Sequence, residues 1–189
     1  KAIDAMQISA QNQDVQGDLY EYLLGKLNTA GQNGQFRTPR HIIQLMVELT
    51  APQPTDVICD PACGTAGFLV AAGEYLRERH RDALHDKKQS EHFHNGMFHG
   101  FDFDHTMLRI GSMNMLLHGV KDTEFDIFHG DTLLNEWEMM KELNPAKKPL
   151  FDAIVANPPF SYRWEPTDAL ADDVRFKSHG LAPKSAADF

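Results

Sequence analysis

Asn157-Pro158-Pro159-Phe160 closes the apolar run Phe151-Asp152-Ala153-Ile154-Val155-Ala156 and is the most informative tetrapeptide in this sequence. Two prolines fix the backbone just past a strand, so the Asn157 side chain and the Pro158 carbonyl are held in place beside an aromatic ring. A proline-stopped strand followed by a core phenylalanine is the plainer alternative. A second constellation, Asp60-Pro61-Ala62-Cys63-Gly64-Thr65-Ala66-Gly67-Phe68, follows the short run Val57-Ile58-Cys59 and leads into the apolar-periodic segment Leu69 to Leu76. Gly64 and Gly67 let the backbone bend sharply and approach a ligand, and the helix beyond offers unpaired N–H groups in its first turn. Such a turn suits a nucleotide-like ligand, although glycines at strand-to-helix turns also serve as steric relief alone. Two acids complete the set. Asp102 ends a predicted strand where a carboxylate can accept hydrogen bonds from ribose hydroxyls, and Asp131 ends another where it could accept from an adenine amino group. A helix N-cap is the alternative for Asp102, and Asp104 would serve that better.

The elements that must position these residues alternate in type. Val15, Leu19, Leu23 and Leu27 recur at helical spacing, which predicts an amphipathic helix from about Asp14 to Asn28. Gly31-Gln32-Asn33-Gly34 then breaks the chain before Gln35-Phe36-Arg37-Thr38-Pro39-Arg40, where Thr38 suits an N-cap and Pro39 the first position of a helix running to about Leu49. Ala51-Pro52-Gln53-Pro54 stops that helix ahead of the strand Val57 to Cys59. The histidine-rich stretch after Arg79 has irregular spacing and reads as a solvated connector rather than a metal site. Met97 to Phe103 reads as a second strand, His105 to His118 as a helix, and Phe125 to Phe128 as a third strand. Thr132 to Leu150 is a connector in which Leu133, beside Asp131, could wall an adenine. Phe151 to Ala156 is the fourth strand, expected to be buried on both faces from its apolar run. Ser161 to Ala187 is polar and reads as a mobile loop.

Composition narrows the classes. At 189 residues, with 42% hydrophobic and 24% charged, the chain can bury one ample core. No apolar run approaches the ~20 residues of a membrane span, and Lys1-Ala2-Ile3-Asp4 lacks an apolar signal core, so a cytoplasmic protein is expected. Cys59 and Cys63 stand four apart without a second ligand pair and read as reduced and structural. A net charge of −9 argues against this chain gripping a polyanion alone, because lysine and arginine supply most non-specific nucleic-acid affinity.

Taken in order, Gln35 to Arg40, the turn Asp60 to Phe68, Asp102, Gly130-Asp131 and Asn157 to Phe160 resemble the S-adenosylmethionine-dependent DNA adenine methyltransferases. Among these, the chain most resembles the modification subunit of type I restriction-modification systems, from Tyr20-Glu21-Tyr22-Leu23-Leu24-Gly25 to the loop after Phe160. The resemblance implies a Rossmann-like α/β fold, a mostly parallel sheet with helices on both faces. Residues 1–34 would form an N-terminal helical segment and linker, and 35–189 the methyltransferase catalytic domain. It implies S-adenosyl-L-methionine as cofactor. Gln35, Phe36, Arg37, Thr38, Pro39 and Arg40 would touch its methionine part, and Asp60 would lie near its amino group. Pro61, Gly64, Thr65, Ala66, Gly67 and Phe68 belong to the turn that wraps it. Asp102 would hold the ribose, and Asp131 with Leu133 the adenine. Asn157, Pro158, Pro159 and Phe160 would receive the target base. It implies DNA as substrate, with separate specificity and restriction subunits as partners, and methyl transfer that requires no metal. Asp102 stands where the family more often has glutamate. The family's sheet has seven strands and four are visible here, so the chain is expected to be part of a longer subunit.

Two other readings carry specific observations. An NAD-dependent dehydrogenase also uses a glycine turn after its first strand, but Gly-x-Gly-x-x-Gly is absent and Asp102 comes about twice as late as the ~20 residues expected. An RNA or protein-glutamine methyltransferase shares Asn-Pro-Pro-aromatic, and the Phe-x-Thr-Pro element upstream separates the DNA enzymes from it. An inactive cofactor-binding assembly subunit would not need an intact Asn157 to Phe160.

Overall fold

The computed structural model describes residues 20, 22, 38–120, 127–132, 151–158, 177 and 180. Several expectations fall outside these residues: the course of the helix over 14–28 except at Tyr20 and Tyr22, both helical, and the positions of Gln35, Phe36, Arg37, Leu133, Pro159 and Phe160. The connector 133–150 and the loop after Phe160 lie outside them too, apart from 177 and 180.

The described elements are α1 (Arg40–Thr50), β1 (Ile58–Asp60), α2 (Gly67–Arg79), α3 (Lys87–Asn95), β2 (Phe98–Asp102), α4 (His105–Leu117), β3 (Ile127–His129) and β4 (Ala153–Ile154). The four strands form one parallel sheet in the order β3-β2-β1-β4. Strand order reverses at β1, with β2 on one side and β4 on the other. In open α/β sheets this places a crevice outside the carboxyl ends of the central strands.

β1 is buried along its whole length, and so are the first four residues of β2. That is the pattern of parallel strands covered on both faces. Ile58, Leu69, Leu76, Phe93, Met97, Phe98, Met115 and Val120 make the core, each all but inaccessible. Burying such side chains is worth about 1.5–3 kcal/mol apiece. α1 lies along α2, and two exposed ion pairs bridge them, Arg40 to Glu74 at 3.7 Å and Arg79 to Glu48 at 3.3 Å. Such pairs contribute little beside the apolar contact of Ile43 and Val47 with the core. The Tyr20 hydroxyl donates to the Ile110 carbonyl of α4 at 3.2 Å.

Three expectations are corrected. The stretch after Arg79 is not a solvated loop: a 3-10 turn at Ala83–His85 is followed by α3, whose N-cap Asp86 accepts from the N–H groups of Lys88 and Gln89 at 3.0 and 3.1 Å. Its single buried residue, Phe93, meets Phe98 edge-on with centroids 5.3 Å apart, and His92 Nε2 donates to the Asp56 carbonyl at 2.8 Å. β4 is not buried on both faces. It spans two residues, pairs with β1, and leaves Ile154 64% exposed, because it lies at the edge of the described sheet. Thr38 is not an N-cap. Pro39 keeps an extended backbone (φ −58°, ψ 138°), so the helix starts one residue later. Pro39 itself accepts from Ile42 and Ile43 N–H at 2.9 and 3.1 Å.

Among the described residues no helix is long and apolar enough to cross a membrane, and no cluster of histidine, cysteine, aspartate or glutamate could hold a metal ion. Cys59 and Cys63 are free and buried. Burial pushes the Cys59 thiol up to about 12 and the Cys63 thiol up as well, so neither serves as a nucleophile near neutral pH.

Candidate active site at the strand ends

The turn after β1 is built by backbone bonds to its neighbours. Cys63 N–H donates to the Phe101 carbonyl at 2.8 Å, and Ala66 N–H to the Cys63 carbonyl at 2.7 Å. Gly64 (φ 51°) and Ala66 (φ 59°) both take the left-handed conformation, costly for Ala66 and open to Gly64 without penalty. A Cβ on Gly64 would meet nothing within 4 Å, so the turn presents bare backbone to open space. Behind it α4 comes close. A Cβ on Gly111 would stand 3.0 Å from the Gly64 carbonyl oxygen. From the same helix, buried Asn114 donates through Nδ2 to the Thr65 carbonyl at 2.9 Å. Gly67 and Phe68 open α2, with Phe68 turned into the core.

Asp102, at the carboxyl end of β2, binds this turn directly. Its Oδ2 accepts from Gly64 N–H at 2.9 Å and its Oδ1 from Asp104 N–H at 2.8 Å. Asp104 in turn caps α4 by accepting from Thr106 N–H at 2.7 Å, the division of labour expected from the sequence. Each Asp102 oxygen keeps a further lone pair for a donor on a ligand. Gly130 N–H donates to the Asp102 carbonyl at 3.2 Å, which brings the half-buried Asp131 to the same edge. The bare turn and the unspent carboxylate lone pairs are the features an adenosyl group with a ribose diol would need.

Asp60 is 1% exposed, and its Oδ1 accepts from Ala62 N–H at 3.1 Å, bracing the turn that begins at Pro61. Burial pushes its carboxyl up to about 7, against the Ala62 bond that lowers it and with the Asp102 charge adding to the rise. An ordinary aspartate ionises near 3.8. Between those values the folded protein keeps a proton that the unfolded chain has released. The stabilisation is therefore complete below about 3.8 and is lost as pH rises to about 7. Asp60→Asn, which cannot ionise, is expected to flatten the fall in unfolding free energy across this window, as read from denaturant midpoints at several pH values. Equal slopes for parent and variant would show that Asp60 ionises in the fold as it does in water.

Sequence reasoning missed Phe103. It follows Asp102 and is 73% exposed, its ring 5.7 Å from that of His129. His129 Nε2 donates to the Phe103 carbonyl at 2.9 Å, and its ring stacks on His105 at 3.8 Å. An apolar aromatic directly after a strand-end acid was the available signal.

On the other side of β1 stands Asn157. β4 is bracketed to β1 by Val57 N–H donating to Asp152 Oδ2 and Asp152 N–H to the Val57 carbonyl, both at 2.8 Å. Val155 N–H then donates to the Cys59 carbonyl at 3.0 Å, so the chain leaves the sheet at a fixed point. Asn157 and Pro158 beyond it are exposed, and Asn157 Nδ2 donates to Thr38 Oγ1 at 2.9 Å. This bond joins the Thr38-Pro39-Arg40 element to the end of β4 across 119 residues. Most of the described part of the predicted set is thereby gathered along the carboxyl edge of the sheet: Thr38, Pro39, Asp60, Pro61, Gly64 to Gly67, Asp102, Asp131, Asn157 and Pro158. Arg40 instead pairs with Glu74 of α2, and Phe68 turns into the core. A cavity of about 610 Å³ lies elsewhere, between α2 and α3, lined by Glu74, Arg77, Arg81, Phe93 and His94 among others. Its mixed charges point to no one ligand, and none of the predicted site residues lines it.

A model of the N-6 DNA methylase family matches residues 11–189. The methylase subunit of the type I restriction enzyme MpnII from Mycoplasma pneumoniae is 30% identical over 198 aligned positions, which take in 99% of this chain and 34% of that protein. The EcoEI methylase subunit of Escherichia coli is 33% identical over 155 positions, 80% of this chain and 29% of that one. Among solved structures, the methyltransferase subunit of a type I restriction-modification system from Streptococcus thermophilus matches with a TM-score of 0.73 and 28% identity, over 97% of this chain and 36% of that chain. The chain thus spans about a third of the length of the curated relatives it matches.

Proposed function

The chain belongs to the N-6 DNA methylase family, and from that premise we propose that it forms the cofactor and target-base half of a type I modification subunit, transferring a methyl group from S-adenosylmethionine to N6 of adenine in DNA. The observation that carries this reading is the 2.9 Å bond between Asn157 and Thr38, which joins two elements of the motif set from distant parts of the chain at the end of β4, the strand paired with β1, whose own carboxyl end opens into the glycine turn. S-adenosylmethionine, when bound, would supply an electrophilic methyl group: the C–S bond would break as the N6 lone pair takes the methyl carbon, leaving a neutral thioether and releasing one N6 proton to solvent.

The chain's own residues position. Asp102 would hold the ribose diol, Asp131 and Phe103 would flank the adenine of the cofactor, and the turn from Pro61 to Phe68 would wrap its middle. Gln35 to Arg40 would attend its methionine end, Thr38 through its backbone because its hydroxyl is taken by Asn157, and Asp60 braces the turn through Ala62 N–H. The exocyclic nitrogen of adenine is a poor nucleophile, because its lone pair is delocalised into the ring. Asn157 Oδ1 and the Pro158 carbonyl accept its two hydrogens, favour a tetrahedral nitrogen and aim the lone pair at the methyl carbon. The nitrogen is out of reach inside a duplex, so the base flips out, and Phe160 offers a stacking face that offsets part of the unstacking cost. The acidic chain relies on a separate specificity subunit to grip DNA, with a restriction subunit as a further partner.

The test uses the full-length subunit assembled with its specificity partner. Offered methyl-labelled S-adenosylmethionine with unmodified duplex DNA, ribosomal RNA and release factor side by side, the assembly is expected to yield label that elutes as N6-methyldeoxyadenosine after the DNA is digested to nucleosides. Label in ribosomal RNA or in a protein glutamine, with none in DNA, would overturn the reading.

A further inference from the structure

The exposed carboxamide of Asn157 has two unlike edges, an acceptor oxygen and a donor amide, and nothing in β4 chooses between them. The last ladder bond, Val155 to Cys59, fixes the backbone two residues earlier, and Pro158 has no N–H to contribute. A target amine brings two donors. If Nδ2 faced it, donors would oppose donors and the pocket would repel the base.

We propose that Thr38 is the positioning residue that turns this carboxamide the right way, holding Nδ2 so that Oδ1 is the edge presented to the target amine. The inference rests on reading the strand edge as a methyl-transfer site. Three observations support it. Thr38 Oγ1 accepts from Asn157 Nδ2 at 2.9 Å. Thr38 is itself stiff, being β-branched and followed by Pro39, which restricts its backbone. And Pro39 is anchored to α1 through the bonds that its carbonyl accepts from Ile42 and Ile43. The hydroxyl could bond either edge of the amide. With a target amine on the far side, only the arrangement with Nδ2 on Thr38 satisfies every donor. Thr38 thus acts through Asn157 and does not touch the transferred methyl group.

Thr38→Val keeps the shape and removes the hydroxyl, whereas Thr38→Ser keeps the hydroxyl. In the assembled enzyme Thr38→Val is expected to lower kcat about tenfold, with the KM for S-adenosylmethionine unchanged, and Thr38→Ser to recover most of the loss. In an Asn157→Ala background Thr38→Val is expected to have no further effect, the mark of two residues acting as one. Parent kcat for Thr38→Val beside a crippled Asn157→Ala would overturn the role of Thr38 and leave the proposed function standing. So would a rise in cofactor KM alone, or losses that multiply in the double variant. Parent activity in Asn157→Ala would instead overturn the proposed function and this inference with it.

Discussion

Asn157→Ala is expected to lower kcat for DNA methylation by about 10²–10³-fold, with the affinity for S-adenosylmethionine unchanged. The effect follows from place and chemistry together. Asn157 lies beyond the last ladder bond of β4 and is exposed, so truncating it removes no core contact. What it removes, on the proposed mechanism, is one of two acceptors for the target amine, which would leave the Pro158 carbonyl to orient the nitrogen alone. Because the interaction tightens as the nitrogen becomes tetrahedral, the loss belongs in kcat rather than in the KM for either substrate. Single-turnover transfer in the assembled enzyme, with calorimetric titration of S-adenosylmethionine alongside, separates the two. A variant that methylates at the parent rate would remove Asn157 from the reaction.

Asp102→Ala is expected to weaken S-adenosylmethionine binding by about 10- to 100-fold, because the hydrogen bonds that the ribose hydroxyls would donate to the carboxylate on the proposed reading vanish with it. The same substitution strips the acceptor from Gly64 N–H and from Asp104 N–H. It should therefore also cost about 1–3 kcal/mol of stability, the penalty for half-buried donors left unmatched. Asp102→Asn separates the contributions. It retains one acceptor oxygen and places an amide donor against either Gly64 or Asp104, so the turn is disturbed about as much while the ribose keeps one partner. Calorimetry and denaturant unfolding on both variants provide the comparison. Unfolding midpoints that fall while cofactor affinity holds would confine Asp102 to bracing the turn.

The parts of this fold legible in the sequence are those encoded by neighbours in the chain. The strand, glycine turn and helix from Ile58 to Arg79 form one local unit, and so do β2, the Asp104 cap and α4. α3 was hidden because a helix with one buried residue, Phe93, among Lys, Gln, Glu and His has no apolar period to detect. β4 misled because an apolar run reads the same at the centre of a sheet as at its edge, and exposure of Ile154 depends on what packs beside it. Thr38 misled for a related reason. Its sequence context suits a cap, yet its hydroxyl is spent on a partner 119 residues away that no local rule reaches. The glycine turn and the strand-end placement of Asp102 were the most readable parts, since turn glycines and an acid at a strand's end act where they stand in the chain.

The bracket between Val57 and Asp152 spans 95 residues, whereas β1 and β2 pair at a separation set by the register of Ile58 with Phe98. At about 5–20 residues per second on the ribosome, that bracket waits roughly 5–20 s after Val57 is made. β1, β2, β3 and their helices are all available to assemble in that interval. The β1 edge that later receives β4 stays open meanwhile, and such an open edge, although β1 is paired with β2 on its other side, is a template for foreign strands. The consequence reaches the proposed chemistry: the end carrying Asn157 is the last of the four described strands to arrive, so a nascent chain can shape the glycine turn and Asp102 well before the proposed base-receiving element joins them.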